Sequence, residues 1–171
     1  IIDLGGDKTA ANGGWLLRGY GDTGATYNTV ATTLNVDPLA TVSIAAGKSV
    51  QAGNNGASGG FAAQTINSEG IVTNNGTLVL GRAGTLNLSD GTWTQNGSAT
   101  VTTMGGGLAT MKIGGGAAFT YTSATNFLLS TSTSNGAVTS LTVDNGTFTT
   151  GVAFHNSTVS LAPLNTAFST I

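Results

Sequence analysis

The sequence contains no cysteine, so disulfide bonds and thiolate metal sites are excluded, while the redox compartment is left open. Only 7% of the 171 residues are charged, whereas an average globular protein has roughly 25%. The five basic residues are scattered along the chain and make no patch that would bind nucleic acid. No run of 18 apolar residues occurs, so no membrane span is predicted.

The chain is also poor in proline, with 2 residues, and it lacks the i, i+3, i+4, i+7 apolar stripe of a helix. It is instead rich in glycine (27) and threonine (30). Threonine, valine, isoleucine and aromatic residues favour strands, and glycine and asparagine favour turns. Because 39% of residues are hydrophobic and the net charge is only -2, the composition is not that of a disordered chain. We therefore predict a nearly all-β protein.

Asparagines recur at intervals of 19 to 21 residues over most of the chain, and Gly116 occupies the one missing place. Apolar residues keep the same interval in two columns, one from Leu80 to Leu161 and one from Leu88 to Phe168. A fixed period of about 20 with strand-type residues indicates a solenoid. The recurring asparagines are Asn35, Asn55, Asn75, Asn96, Asn135 and Asn156.

Each unit has room for three short strands, which in one unit are residues 77–80, 85–88 and 91–94. Parallel pairing of each strand with its equivalent in the next unit would bury the apolar columns. The prediction is a single parallel β-helix of about seven coils over residues 16–171, preceded by an irregular entry or cap segment over 1–15. The alternative, a set of Asn-Gly hairpins in an antiparallel sandwich, does not require a 20-residue period.

The asparagine column itself is predicted to form a structural ladder at one turn. Identical asparagines stacked at strand spacing can hydrogen-bond to each other. Asparagine also tolerates the left-handed backbone of a tight corner. Glycine at position 116 would keep that backbone and lose the ladder bond.

The segment TLVLGRAGTLNLSDGTWTQNG (residues 77–97) resembles the β-helix repeats of bacterial surface and secreted proteins. Autotransporter passenger regions and filamentous adhesins are the nearest types. The resemblance covers the chain from about residue 36 and is one of repeat style. It implies an extracellular or cell-surface location, but it transfers no functional residue to this chain. Since the chain starts with Ile1-Ile2-Asp3, we also expect that a leader precedes it.

Four charged residues have nearly the same spacing as the repeat: Lys48, Glu69, Asp90 and Lys112. They are expected to stack as an exposed ladder of ion pairs. The alternative is that Glu69 and Asp90 bind a cation or a sugar, or act as the two carboxyl groups of a glycosidase. The other acids fall in different columns, and the single histidine, His155, is expected at a solvated turn. We therefore predict no catalytic, cofactor-binding or metal-binding residue and no enzymatic activity.

Threonines flank Val101 and Tyr121, at positions 100, 102, 120 and 122, and would form two outward files. Such files resemble those of ice-binding proteins with a flat β-solenoid. The alternative is that outward strand positions simply favour threonine.

The ends of the solenoid are the most informative feature for function. Bare strand edges promote further pairing, and no covering segment is apparent in the sequence. The predicted assembly ends are Ile1, Ile2, Phe168 and Ile171. The predicted function is therefore a structural extracellular subunit whose copies join head to tail into a filament or surface layer. The alternative is an adhesin segment of a larger secreted protein that binds glycans or surfaces.

Overall fold

The structure is a computed structural model whose regular elements, within the residues it describes, are all β-strands. The described residues are 2–4, 7–10, 15–17, 31–53, 63–81, 83–101, 109–124, 127–128, 139–151, 154–156, 159–160 and 168–169.

The strands stack in three parallel sheets, which we name A, B and C. Sheet A contains β1 (Ile2–Leu4), β4 (Thr32–Val36), β7 (Gln64–Ser68), β10 (Gly84–Leu88), β13 (Ala109–Gly114) and β16 (Thr139–Asp144). Sheet B contains β2 (Asp7–Ala10), β5 (Thr41–Ile44), β8 (Ile71–Asn74), β11 (Thr92–Gln95), β14 (Ala118–Tyr121), β17 (Thr147–Thr150) and β20 (Phe168–Ser169). Sheet C contains β3 (Trp15–Leu17), β6 (Ser49–Ala52), β9 (Thr77–Leu80), β12 (Ala99–Val101), β15 (Phe127–Leu128), β18 (Phe154–Asn156) and β19 (Val159–Ser160).

Successive strands along the chain belong to A, B and C in turn, so the fold is the predicted β-solenoid and not an antiparallel sandwich. The count of about seven coils is not confirmed, because the described strands from β1 to β18 make six sets of three. Residues 1–15 were expected to be irregular. Instead, β1 and β2 pair in parallel with β4 and β5, so the solenoid begins within that segment.

The constant period of 20 residues is wrong. In sheet A the interval is 32 from Leu34 to Ile66, 20 from Ile66 to Leu86, 25 from Leu86 to Met111 and 30 from Met111 to Leu141. The differences arise mainly where the chain passes from sheet C to sheet A, through residues 18–31, 53–63, 81–83, 102–108 and 129–138. Connections from sheet A to sheet B stay short, such as 69–70 and 145–146. Strand pairing, and not repeat length, therefore sets the register.

The two predicted apolar columns consequently break. Leu80 pairs with Val101 as expected, but Tyr121 lies in sheet B and Leu141 in sheet A. The second column is divided among the three sheets, with Leu88 in A, Leu128 in C and Phe148 in B. Leu108 and Leu161 lie outside the described residues.

The core is built from alternate residues of each strand, as the period of two requires. In sheet B one inward column grows in size along the solenoid and ends with Phe119 and Phe148, whose rings stack with centroids 5.3 Å apart. The residues of this column are Val42, Val72, Trp93, Phe119 and Phe148, all buried.

The next inward column of sheet B is polar, and its center is Gln95. The Gln95 Oε1 atom accepts hydrogen bonds from Asn74 Nδ2 at 2.9 Å and Trp93 Nε1 at 3.1 Å. The Gln95 Nε2 atom donates to the carbonyl oxygens of Gly76 at 2.8 Å and Gly97 at 3.1 Å. Because Gln95, Asn74 and Trp93 are completely buried, each of these polar groups depends on the others for its hydrogen bonds.

The Asn-Gly pairs at the corner between sheets B and C have a steric explanation. A Cβ atom on Gly97 would lie 1.9 Å from the carbonyl oxygen of Gly76 in the preceding coil. One on Gly76 would lie 2.1 Å from the carbonyl oxygen of Lys48. Glycine is therefore required here because successive coils approach closely, whereas Asn75 and Asn96 do not have the left-handed backbone predicted for them.

We expect Gln95→Ala to lower the free energy of unfolding by about 3 kcal/mol, because it leaves the buried N–H groups of Asn74 and Trp93 without their acceptor. Chemical denaturation measures the change. Thr94→Ala, at the adjacent outward position, is the control and should stay within about 0.5 kcal/mol of the parent. Equal effects of the two substitutions would contradict the buried network.

We expect Gly97→Ala to destabilise the protein by roughly 1–3 kcal/mol, since the added methyl group would overlap the backbone of the previous coil. Thermal unfolding followed by circular dichroism would show the loss. Gly151→Ala is the matched control, because no heavy atom lies within 4 Å of a Cβ atom built at Gly151. A melting temperature of Gly97→Ala no lower than that of Gly151→Ala would refute the close approach.

Candidate functional site

The predicted asparagine ladder is not confirmed as one column. Asn35 lies on the outward face of sheet A, whereas Asn75 and Asn96 follow β8 and β11 at the corner between sheets B and C. Asn156 lies in β18 of sheet C. Asn55 and Asn135 are outside the described residues.

Two shorter asparagine stacks exist instead. At the corner, Asn96 Nδ2 donates to Asn75 Oδ1 at 2.7 Å. On sheet A, Asn67 Nδ2 donates to Asn35 Oδ1 at 3.0 Å, and Asn87 Nδ2 donates to Asn67 Oδ1 at 3.3 Å. Asparagines thus do bond from coil to coil, but the sheet A stack of Asn35, Asn67 and Asn87 uses two residues that the 20-residue period did not select.

Sheet A therefore presents an outward surface of repeated T-x-N type. One column contains Thr33, Thr65, Thr85 and Thr110, and a second contains Asn35, Asn67, Asn87, Lys112 and Thr142. The pattern is readable in the strings TLN, TIN and TLN, once they are aligned by strand and not by a fixed interval.

An open polar groove of about 380 Å³ runs beside the asparagine stack. Its carboxylates belong to Asp37 and Glu69, and Ser89 Oγ donates to Glu69 Oε1 at 3.0 Å. The groove also contains Asn35, Val36, Asn67 and Asn87. Amide and carboxylate groups in an open groove can hydrogen-bond to the hydroxyl groups of a sugar.

The four predicted charge-ladder residues do not form one stack. Lys112 lies in β13, in register with Asn87 and Thr142 on sheet A. Lys48 precedes β6 at the corner between sheets B and C, whereas Glu69 and Asp90 lie at the corner between A and B. Asp90 Oδ1 accepts a hydrogen bond from its neighbor Gly91 N at 2.7 Å. The near-constant spacing that linked these residues does not correspond to register.

The predicted ends are only partly described. Ile2 pairs with Leu34 within β1, and Ile1 and Ile171 lie outside the described residues. Phe168 was expected to continue a parallel column. It pairs antiparallel with Phe148 instead, so β20 reverses direction against sheet B, and β19 does the same against sheet C.

The last parallel strand of sheet A has a different environment. Leu141 and Val143 of β16 occupy the inward columns of Met111 and Ile113. Met111 and Ile113 are at most 1% exposed, but Leu141 and Val143 are only partly buried. The apolar core therefore reaches the surface at this end of sheet A.

Neither His155 nor the acids form a recognisable reaction centre in the described structure. His155 lies within β18, in register with Leu128, and not at the predicted turn. In the part of the chain that the structure describes, no three His, Asp or Glu residues lie close enough to hold a metal ion. The same part contains no helix suited to crossing a bilayer.

No family model, curated protein or solved structure matches this chain.

We expect the Asn67 and Asn87 side chains to couple energetically, because they share a hydrogen bond between coils. A double-mutant cycle with Asn67→Ala and Asn87→Ala should give an interaction free energy of at least about 0.5 kcal/mol. The control cycle combines Asn67→Ala with Asn96→Ala, which lies at a different corner, and should be additive within about 0.3 kcal/mol. Additivity in both cycles would argue against the stack.

Proposed function

We propose that this chain is a structural, non-catalytic β-solenoid of an extracellular or cell-surface assembly, in which copies join end to end into a filament or layer. The observation that supports it best is the incomplete burial of Leu141 and Val143 at the last parallel strand of sheet A. A further strand beside β16 would complete the burial of these side chains.

Hydrophobic burial and backbone pairing would act together at this end. Completing the burial of a partly exposed aliphatic side chain contributes on the order of 1 kcal/mol. The strand β16 has one neighbor, β13, within the described sheet, so its other edge has backbone N–H and C=O groups available for pairing. The first strand, β1, likewise has only β4 beside it.

The antiparallel strands β19 and β20 restrict where such a contact can form. They lie at the ends of sheets C and B, so sheet A is the sheet whose described strands remain parallel to the last member. We therefore place the contact between β16 of one copy and β1 of the next, in parallel. A head-to-tail contact of this kind propagates as a fibre unless its rotation closes a ring.

The extracellular location is supported by composition and by resemblance. The charge-poor, threonine- and glycine-rich sequence and the style of residues 77–97 are similar to those of bacterial surface β-helix proteins. Copies of the chain itself are the proposed partners, and no cofactor is part of the proposal.

A second candidate function is that of an adhesin segment that binds glycans. The groove beside Asn35, Asn67 and Asn87 favours it, because amides and the Asp37 and Glu69 carboxylates converge there. Glycan-array binding that is lost in Asn67→Ala and retained in Asn96→Ala would support this candidate. Absence of binding to any glycan would dispose of it.

Electron microscopy of the purified chain over a range of concentrations tests the assembly. We expect unbranched fibres, and we expect Leu141→Asp combined with Val143→Asp to raise the concentration needed for fibres at least about tenfold, a change of about 1.4 kcal/mol. The physical reason is that a carboxylate buried without a partner at the contact is strongly unfavourable.

Thr142→Asp is the matched control, since its exposed side chain lies between Leu141 and Val143 but faces outward from sheet A. It should assemble like the parent chain. Monomers of the parent at every concentration would overturn the proposal, as would equal inhibition by the control.

A further inference from the structure

The outward face of sheet B carries two unbroken columns of small, uncharged side chains. Hydroxyl groups occupy every position of one column, which contains Ser43, Thr73, Thr94, Thr120 and Thr149. The other column contains Thr41, Ile71, Thr92, Ala118 and Thr147. We call these ten residues the threonine face.

The threonine face differs from the other two outward faces. No outward position of β5, β8, β11, β14 or β17 carries a charge or an amide. Sheet A, in contrast, presents its asparagine stack and Lys112, and sheet C presents Gln51. Strand propensity would favour threonine on all three sheets equally, so it does not explain why sheet B alone among these faces excludes charge and amide groups.

The face is a regular two-dimensional array. Strands repeat at about 4.8 Å, and alternate residues along a strand at about 6.7 Å. Threonine is stiff at χ1, which holds its methyl and hydroxyl groups in a limited set of orientations. Behind the face, the Phe119 and Phe148 rings differ by only 6° in orientation, so β14 and β17 present similarly directed side chains.

The register across the face persists although the chain between its rows varies in length. Thr73 follows Ser43 by 30 residues, Thr94 follows Thr73 by 21, and Thr120 follows Thr94 by 26. The hydroxyl column is thus maintained independently of the repeat length.

We propose that the threonine face binds ice. The oxygen lattice on the prism faces of hexagonal ice repeats at distances of similar size to the two spacings of the array. Rows of methyl groups order the adjacent water, and rows of hydroxyl groups hydrogen-bond to it, so the face organises water into a lattice that merges with the crystal. Charges, which orient water radially around themselves, are absent from these described positions. This activity is independent of end-to-end assembly, because it uses the side of the solenoid.

Ice recrystallisation inhibition and thermal hysteresis of the purified chain test the proposal. We expect the parent to slow crystal coarsening relative to an equal concentration of serum albumin. Thr94→Tyr places a bulky ring in the middle of the array and should weaken inhibition at least about tenfold, equivalent to about 1.4 kcal/mol. Thr85→Tyr makes the same change at an outward, half-buried threonine of sheet A and should leave inhibition unchanged.

Thr94→Val gives a second test that preserves shape and fold while removing one hydroxyl group, and we expect it to retain most of the activity because the methyl rows remain. Circular dichroism melting curves establish that each variant is folded. A parent chain no more active than albumin would overturn the proposal. Equal loss in Thr94→Tyr and Thr85→Tyr would do the same, since the activity would not then belong to sheet B.

Discussion

Parallel, in-register backbone pairing between successive coils is the constraint on which the rest of this structure depends. Because side chains alternate between the two faces of a strand, a shift of one residue would move every inward side chain outward. The register holds from Leu34 through Ile66 and Leu86 to Met111, although the intervening chain differs in length at each step. The core and all three outward surfaces follow from it.

Fold class could be predicted from the sequence because it depends on local signals. Alternation of polar and apolar residues, a shortage of helix formers and recurrent Asn-Gly turns all indicate short strands in a solenoid. Strands predicted at 77–80, 85–88 and 91–94 are observed within a residue of those bounds. The region that suggested the period is also the one where the interval is 20 or 21 residues.

The columns could not be predicted, because they depend on the length of chain between strands. Counting in steps of 20 placed Tyr121 after Val101, whereas the structure places these residues in different sheets. For the same reason the sequence joined Asn35 to Asn75 and missed Asn67 and Asn87. Gln95 was assigned to a turn, since nothing local indicates that its amide would be buried against Trp93. Aligning strands by their polar–apolar–polar strings, such as Thr92-Trp93-Thr94, recovers the observed register better than any fixed period.

The concentration of variable length at one corner has an evolutionary and practical consequence. Connections between sheets C and A range from residues 81–83 to 18–31, yet the strands on either side keep their pairing. Loop closure becomes only slowly less favourable as a loop lengthens. This corner can therefore accept new sequence, by duplication in nature or by grafting of a peptide epitope in the laboratory, at a position displayed once per coil along the side of a rigid rod.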